Sequence, residues 1–494
     1  MIRPAPSVLR SKLFWVGVLY FAQGLPFGIF FDVLPVWFRQ QGVDLRDIGA
    51  LSLLGLAWTL KFLWAPAIDH YRRHRLWMAS ADLAMGAVML VIAAHAGLGP
   101  AVWFAIAIFT LLSATNDIAI DGYTIEYLDR DELGLANGIR IGFGRVGILA
   151  AGAILILADY ATWSGAFTIA AALLGVLALT MLAAPKEGPR PIAAPTSSLG
   201  AELKSVITRP STLAAILGVV LFVLWLVYRS AKAVREIEGL WPTALGVAAL
   251  ILAIAWISQR LRTSPEERAT AIAQGPMFGA LFELLSRPTM LPVALFILIF
   301  KLGDASMGFM VKPFWVDRGF SAAEIGLVSV NIGLGLSILG GLVGGWYVDR
   351  RGVFRALWVL GLWQAASNLG YVAAATLIPD GAPLAPLHRL VLYAASAGES
   401  FTGGLGTGAF LAFLMSIVDK RRAAAEYALL SSLFALSRSL AGWASGYGAT
   451  EMGYAPYFLL TFFLSFPAYF LLPWVARMLR NLDPPPRSTI SASS

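Results

Sequence analysis

Long apolar stretches, separated by short polar and basic segments, form the dominant pattern along the chain. A helix that spans a bilayer needs about 20 largely apolar residues. Fourteen stretches meet this requirement: six before residue 185, two in the centre and six after residue 288. They cover about 13–38, 47–68, 76–95, 100–128, 134–158, 163–184, 212–229, 240–259, 289–316, 321–348, 356–378, 389–418, 424–449 and 453–478. The pattern predicts an all-α polytopic membrane protein with fourteen transmembrane helices.

The composition supports this interpretation and excludes several other classes of protein. Hydrophobic residues make up 58% of the 494 residues and charged residues 13%, whereas soluble chains have about 45–50% and about 25%. A soluble fold could not bury so much apolar surface, because roughly half of a globular surface is already apolar. Soluble multidomain, disordered, coiled-coil and nucleic-acid-binding proteins are therefore excluded. The absence of cysteine also excludes disulfides and thiolate metal sites.

The distribution of basic residues predicts the orientation of the helices. With the N-terminus inside, the predicted inner loops hold 24 of the 37 lysines and arginines, and the outer loops hold seven. Such an excess marks the cytoplasmic side of a membrane protein, and the basic outer loop 229–239 is the exception. We expect both termini on the cytoplasmic side of an inner membrane, with the basic start of the chain flanking a first helix rather than forming a signal peptide.

A repeated order of residues indicates two related halves. Segment 35–42 (PVWFRQQG) is followed by 47–49 (DIG), and segment 313–319 (PFWVDRG) is followed by 324–326 (EIG), at an offset of about 277–280 residues. Two parallel halves of six helices are typical of secondary transporters, which bind solute between the repeats. The predicted units are a first six-helix bundle over 1–184, a linker with two additional helices over 185–288, a second six-helix bundle over 289–480 and a disordered cytoplasmic tail over 481–494.

A turn rich in glycine and arginine follows the second predicted helix of the second half. It contains Gly345, Asp349, Arg350, Gly352 and Arg355, and its spacing resembles the Gly-x-x-x-Asp-Arg-x-Gly-x-x-Arg turn of the major facilitator superfamily. We expect Gly345 to let two helices approach and Asp349 to cap or pair across the turn. The arginines are expected to hold a cytoplasmic gate and to contact lipid headgroups. The alternative is an ordinary basic cytoplasmic turn.

Two aspartates lie within the fourth predicted helix. A charged side chain at mid-span costs about 2.5–3.5 kcal/mol on insertion scales, so each aspartate is a candidate for function. Asp117 and Asp121 are four residues apart and therefore lie on one side of the helix. Their repulsion favours a proton bound by one of the two carboxyls, as a proton-coupled carrier requires. The alternative is that both aspartates only neutralise arginines.

Other polar and charged residues inside predicted helices are candidates for solute binding or ion pairing. Arg140 and Arg145 are separated by about 140° around a helix, so we expect one to pair with the aspartates and the other to contact an anionic solute. Arg140, nearer the inner end, is the expected gate residue. Lys301 and Asp304 can form an i,i+3 ion pair. The remaining candidates are Gln23, Lys61 and Asn116. Lys61, Lys312, Glu399 and Arg438 are further intramembrane charges that can extend to an interface.

Five motifs distributed over both halves carry a resemblance to known transporters. They are 20–26 (YFAQGLP), 60–66 (LKFLWAP), 116–122 (NDIAIDG), 301–304 (KLGD) and the glycine-rich 403–408. Together they resemble the AmpG-type muropeptide permeases and the related acetyl-coenzyme A transporters of the major facilitator superfamily. The resemblance implies the major facilitator fold, import of a bulky anionic solute and proton coupling through the aspartates of 116–122. The chain departs from that family at Asn116, where glutamine is usual, and in the central place of its two extra helices.

These features predict a proton-coupled symporter that imports an anhydro-muropeptide, with another anionic solute such as acetyl-coenzyme A as the alternative. A membrane-embedded enzyme is disfavoured because the chain has no HExxH motif, phosphate-loop lysine or cysteine, and the paired halves favour alternating access over a channel. No cofactor and no metal are expected, since His70 and His74 have no third ligand. The expected partners are a small anionic substrate, protons and membrane lipids, without nucleic acid. The sequence gives no indication of the oligomeric state.

Overall fold

Helices make up nearly all of the chain that the computed structural model describes. The described residues are 11–61, 64–65, 68, 73–95, 98–128, 133–186, 287, 289–381, 383–418 and 423–482, and no strand occurs among them. Each helix is numbered here in chain order. The all-α class predicted from the apolar pattern is therefore confirmed for this part of the chain.

The first six helices follow the first six predicted spans. Helix α1 is Lys12–Gln40, α2 is Leu45–Leu54 continued by Leu56–Leu60, α3 is His74–Ala94 and α4 is Pro100–Tyr127. The next stretch, Leu133–Ala183, is one helical run that bends at Thr162, where φ is 65°. This bend divides it into α5 (133–161) and α6 (163–183), and it lies in the short gap predicted between the fifth and sixth spans.

Six further helices follow the segment outside the described residues. Helix α7 is Met290–Asp317, interrupted at Lys301 between Phe300 and Leu302. Helix α8 is Ala322–Arg351, α9 is Val353–Leu377, α10 is Pro386–Ser416, α11 is Ala423–Met452 and α12 is Tyr454–Arg480. The first half below means α1–α6, and the second half means α7–α12.

Seven helical segments within the described residues are long and apolar enough to cross a membrane. Large apolar side chains on their outer faces are exposed, as in Leu83, Leu179 and Leu342, and this suits contact with lipid tails. The predicted extra pair at 212–229 and 240–259, the linker 185–211 from residue 187 onwards, and the tail from residue 483 lie outside the described residues. The count of fourteen helices therefore stays a prediction.

The repeat seen in the sequence corresponds to equivalent turns in the two halves. Helix α1 ends before Gly42 and α7 ends before Gly319, and these glycines have φ of 77° and 80°. Residues other than glycine rarely adopt such left-handed angles. Asp44 caps the start of α2 and Ser321 caps the start of α8 through their side chains. The two halves thus begin with the same helix, glycine turn and capped helix.

Glycines allow close helix contacts within and between the halves. A Cβ atom at Gly344 of α8 would lie 2.7 Å from the carbonyl oxygen of Leu405 on α10, and one at Gly49 of α2 would lie 2.9 Å from the backbone nitrogen of Gly446 on α11. A Cβ atom at Gly345 would meet nothing within 4 Å. The expectation that Gly345 lets two helices approach is therefore wrong, because the neighbouring Gly344 faces the partner helix instead.

Three polar contacts join the two halves at the end of the bundle where α1 finishes. Arg39 donates to both carboxylate oxygens of Asp317, at 2.5 and 2.8 Å. Arg46 pairs with Glu451, and the carboxylate of Asp159 accepts a hydrogen bond of 2.6 Å from the backbone of residue 323. We call these three contacts the Arg39 clasp. They hold α1, α2 and α5 against α7, α11 and α8 at this end.

The glycine packing of α8 against α10 generates a paired prediction. Gly344→Ala is expected to lower the melting temperature of the purified protein, because the new methyl group would overlap backbone that cannot retreat easily. Gly345→Ala is the matched control and is expected to hold or raise stability, since alanine is favoured over glycine in helices by about 0.5–1 kcal/mol. The measurement is thermal unfolding in detergent. Equal melting temperatures of the two variants would contradict the assigned contact.

Candidate functional site

Charged side chains from the first half meet beside α4. Lys61 follows the last residue of α2 and forms an ion pair with Asp117, and its ammonium nitrogen also lies 3.9 Å from a carboxylate oxygen of Asp121. The aspartates reach the same lysine because they stand one helical turn apart. The two aspartates therefore lie on the same face of α4, as predicted, and Lys61 is the partner of both.

Asp121 has two further partners on other helices. Arg140 of α5 donates to its carboxylate at 3.0 Å, and the Tyr20 hydroxyl of α1 donates to the same oxygen at 2.6 Å. The guanidinium of Arg140 lies 4.5 Å from the centre of the Tyr20 ring, a distance suited to a cation–π interaction. One carboxylate thereby connects α1, α4 and α5, with Lys61 adding α2.

The charges of this group balance within the membrane-spanning region. Two cations, Lys61 and Arg140, face two carboxylates, Asp117 and Asp121. Asp117 is only 6% exposed, and an isolated ion at such a place would be costly to hold without a partner. We call these four residues the ion cluster.

Asn116 lies on a different face of α4 from the ion cluster. Its side-chain amide donates to a carboxylate oxygen of Asp82 on α3 at 2.8 Å, and both residues are buried, at 1% and 0% exposure. Asn116 is thus a partner of Asp82 rather than a residue of the cavity described next. Sequence reasoning missed Asp82 and Tyr20. A lone aspartate within the apolar third span was the signal that could have identified Asp82.

A cavity of 350 Å³ lies between the halves and adjoins the ion cluster. Helix α11 of the second half contributes Ser431, Ser432 and Ala435 to its lining. The first half contributes Tyr20, Gln23, Gly24, Phe27, Trp58, Lys61, Asp117, Arg140, Gly144, Arg145 and Ile148. Gln23, a sequence-predicted candidate, therefore lies where a solute could contact it. Interfaces between repeats are where secondary transporters hold their solutes.

Arg145 lines this cavity without joining the ion cluster. It donates a hydrogen bond of 3.2 Å to the hydroxyl of Ser337 on α8, and no carboxylate lies within ion-pair distance of it among the described residues. Arg140 and Arg145 therefore have the separate surroundings that their spacing predicts: Arg140 pairs with an aspartate, whereas Arg145 keeps a cation beside the cavity.

Lys301 and Asp304 form the intrahelical ion pair expected from their spacing, at 3.3 Å. Lys301 is 2% exposed and sits at the interruption of α7, within 3.5 Å of the carbonyl oxygen of Gly403 on α10. Neither residue lines the cavity next to the ion cluster. The structure thus places this pair in the second half, apart from Asp117 and Asp121.

The predicted gating turn lies between α8 and α9 and is exposed. Gly352 has φ of 80°, which explains glycine at this position. Arg350 stacks over Trp346 at 4.6 Å, and Arg355 lines a surface groove. Asp349 is exposed, and no hydrogen bond or ion pair to it occurs in the described chain, in contrast to the expected cap or pair. No group of three His, Asp or Glu residues suited to a metal ion occurs there either.

Comparison with known proteins gives a consistent picture of the fold. The family model described as Major Facilitator Superfamily matches residues 16–311, more than half of the chain. The anhydromuropeptide permease of Escherichia coli strain K12 is 28% identical over 468 residues, which cover 92% of this chain and 78% of the permease.

Solved structures of transporters share the arrangement of helices. An auto-inhibited peptide transporter of the POT family has a TM-score of 0.66 at 14% identity and covers 95% of this chain and 96% of its own. A bacterial homologue of the human lysosomal transporter Spinster, in an inward-facing and unoccupied conformation, has a TM-score of 0.61 at 14% identity and covers 97% of this chain and 99% of its own. At these identities the likeness shows the fold alone.

The ion cluster generates a prediction for stability. Lys61→Met is expected to lower the melting temperature strongly at neutral pH, because breaking a buried pair by removing one partner costs about 3–5 kcal/mol. Adding Asp117→Leu to the Lys61→Met variant removes the uncompensated carboxylate and should restore most of the lost melting temperature. Lys186→Met, at an exposed position, is the control and should change little. If the double variant loses as much melting temperature as the two single variants together, the pairing of Lys61 with Asp117 is contradicted.

Proposed function

Because this chain belongs to the Major Facilitator Superfamily, we propose that it is a secondary transporter that imports a bulky anionic solute together with protons by alternating access. Both termini lie on the cytoplasmic side of an inner membrane in this proposal, as the excess of basic residues in the predicted inner loops indicates. The proposed solute is an anhydro-muropeptide. The observation that carries the proposal is the ion cluster beside a cavity between the two halves.

Proton coupling is supported by the shared contacts of the ion cluster. Asp121 interacts with Lys61, Arg140 and Tyr20, and Asp117 interacts with the same lysine. A proton on either carboxyl removes one negative charge from a group whose charges otherwise balance. Lys61 or Arg140 then loses a partner, so α2 or α5 can shift relative to α4. Proton binding is thereby linked to movement of helices that line the cavity.

Alternating access is supported by the position of the Arg39 clasp. Its three contacts all cross between the halves at one end, which is the outer end if the basic loops are cytoplasmic. The cavity lies between the same halves, and none of the residues of the clasp lines it. We interpret this conformation as closed towards the outside. Import then requires the clasp to open and the halves to separate at that end.

An anionic solute fits the charge of the cavity. Arg145 faces it without a carboxylate partner among the described residues, and an arginine presents several N–H donors to a carboxylate. The identity of the solute is taken from the relative named anhydromuropeptide permease. Acetyl-coenzyme A stays the alternative from the sequence, and competition between purified muropeptides and that thioester for uptake separates the two.

Substitution of Asp121 tests the coupling. Asp121→Asn is expected to abolish uptake driven by an inside-alkaline pH gradient in proteoliposomes, because the amide cannot bind and release a proton, while the size of the side chain and one accepting oxygen are kept. Arg480→Gln is the control and should transport normally, since Arg480 is exposed on α12 and does not line the cavity. Uptake at the wild-type rate by a correctly folded Asp121→Asn variant would contradict the role of Asp121 in proton coupling.

Opening of the Arg39 clasp can be followed by cysteine labelling, since the chain contains no cysteine. Ser52 is 0% exposed and bonds to the backbone of Ser439 across the halves. In a Ser52→Cys protein, adding Asp317→Asn is expected to accelerate labelling by an impermeant maleimide from outside by several fold. Arg480→Gln, at an exposed position of α12 outside the clasp, is the control in the same background. An unchanged labelling rate would contradict the role of the clasp as the outer closure.

A further inference from the structure

A groove of 610 Å³ lies on the surface of the second half, between α8, α9 and α12. Tyr347 and Arg351 of α8 line it, together with Arg355 of α9 and Tyr469 of α12. Helix α8 begins at the Arg39 clasp, to which the backbone of residue 323 belongs, and ends at Arg351. The groove therefore lies at the opposite end of the bundle from the clasp, which is the cytoplasmic end in the proposed orientation.

The two arginines of this groove have no carboxylate partner in the described chain. Both side chains are exposed, and no acidic residue lines the groove. Arg351 is the last residue of α8, and Arg355 lies in the first turn of α9. Gly352, with φ of 80°, forms the turn between them. The groove thus contains two cations from different helices, and the residues around them do not compensate their charge.

Aromatic side chains form the walls of the groove beside the arginines. Trp358 and Phe354 of α9 are 49% and 38% exposed. The Tyr469 hydroxyl donates a hydrogen bond of 3.1 Å to the backbone carbonyl of Trp358, so α9 and α12 are joined along the groove. Tryptophan and tyrosine are enriched at the level of lipid headgroups, and basic pockets between helices on the cytoplasmic side bind anionic headgroups. The groove combines both features.

We infer that this groove binds a phospholipid with two phosphate groups, one held by Arg351 and the other by Arg355. An arginine contacts a phosphate through two parallel N–H···O bonds, and two guanidinium groups without carboxylates match two phosphates. The acyl chains lie against the exposed faces of Trp358 and Phe354. This assignment is more specific than a general contact of the turn with headgroups, because it requires both arginines and the walls of the groove.

Arg350 is the residue that separates a lipid site from a general positive potential. It precedes Arg351 directly, but its guanidinium stacks over the ring of Trp346 at 4.6 Å and does not line the groove. A general attraction between basic residues and anionic lipids acts on both neighbours alike. A site in the groove depends on Arg351 and not on Arg350.

Lipid titrations of the purified full chain in detergent, followed by native mass spectrometry, test the site. The probes are diphosphatidylglycerol, which has two phosphates, and phosphatidylglycerol, which has one. We expect the wild-type Kd of diphosphatidylglycerol to be about tenfold lower, the size of one charge-assisted hydrogen-bonded contact. Arg351→Gln and Arg355→Gln should each raise this Kd about tenfold. Arg350→Gln removes the same charge and should change it less than twofold.

Several results would overturn the site. They are equal wild-type Kd values for the two lipids, no binding of diphosphatidylglycerol, an unchanged Kd in either groove variant, or equal effects of Arg350→Gln and Arg351→Gln. Displacement of the lipid by inorganic phosphate at equal concentration would indicate a site for a soluble anion instead. Melting temperatures control for folding and should match the wild type, since all three arginines are exposed. The titration needs neither solute nor pH gradient, so its outcome is independent of the proposed transport.

Discussion

The cost of holding charge inside a membrane is the constraint on which the rest of this structure depends. The carboxylates of Asp117 and Asp121 in α4 are stabilised by cations from neighbouring helices. Lys61, at the end of α2, pairs with Asp117, and Arg140 of α5 pairs with Asp121. Tyr20 of α1 donates a hydrogen bond to Asp121. These contacts fix the mutual positions of four helices. A change in the protonation of either aspartate alters the contacts that hold the helices together, and this makes the same group suitable for coupling.

The cavity is lined both by residues of the ion cluster, whose charges balance, and by Arg145, which has no carboxylate partner in the described chain. The ion cluster is compensated, so a proton can change its net charge, whereas Arg145 has no carboxylate within ion-pair distance in the described chain. In the proposed cycle protons act on the aspartates of the ion cluster, and the solute contacts Arg145. Protons and solute thus bind to different side chains at one cavity. Each changes contacts between helices that line the cavity.

Local patterns in the sequence predicted the features that depend on spacing. The lengths of the apolar stretches predicted twelve of the helices close to the bounds that the structure shows. The periodicity of the helix predicted that Asp117 and Asp121 share one face and that Lys301 contacts Asp304. Contacts between distant segments could not be read in this way. The pairing of Lys61 with Asp117 joins residues 56 positions apart, and the partner of Asn116 is an aspartate on another helix. The facing of Gly344 rather than Gly345 depends on the rotation of α8, which spacing alone leaves open.

The central claim is that the solute moves together with protons through the Asp117–Asp121 pair. The most direct measurement is the pH change of a weakly buffered medium when anhydro-muropeptide is added to proteoliposomes that contain the protein, with solute uptake counted in parallel. The account predicts alkalinisation of the medium in fixed proportion to the solute taken up, in the absence of any imposed gradient. Solute uptake without proton movement would contradict it.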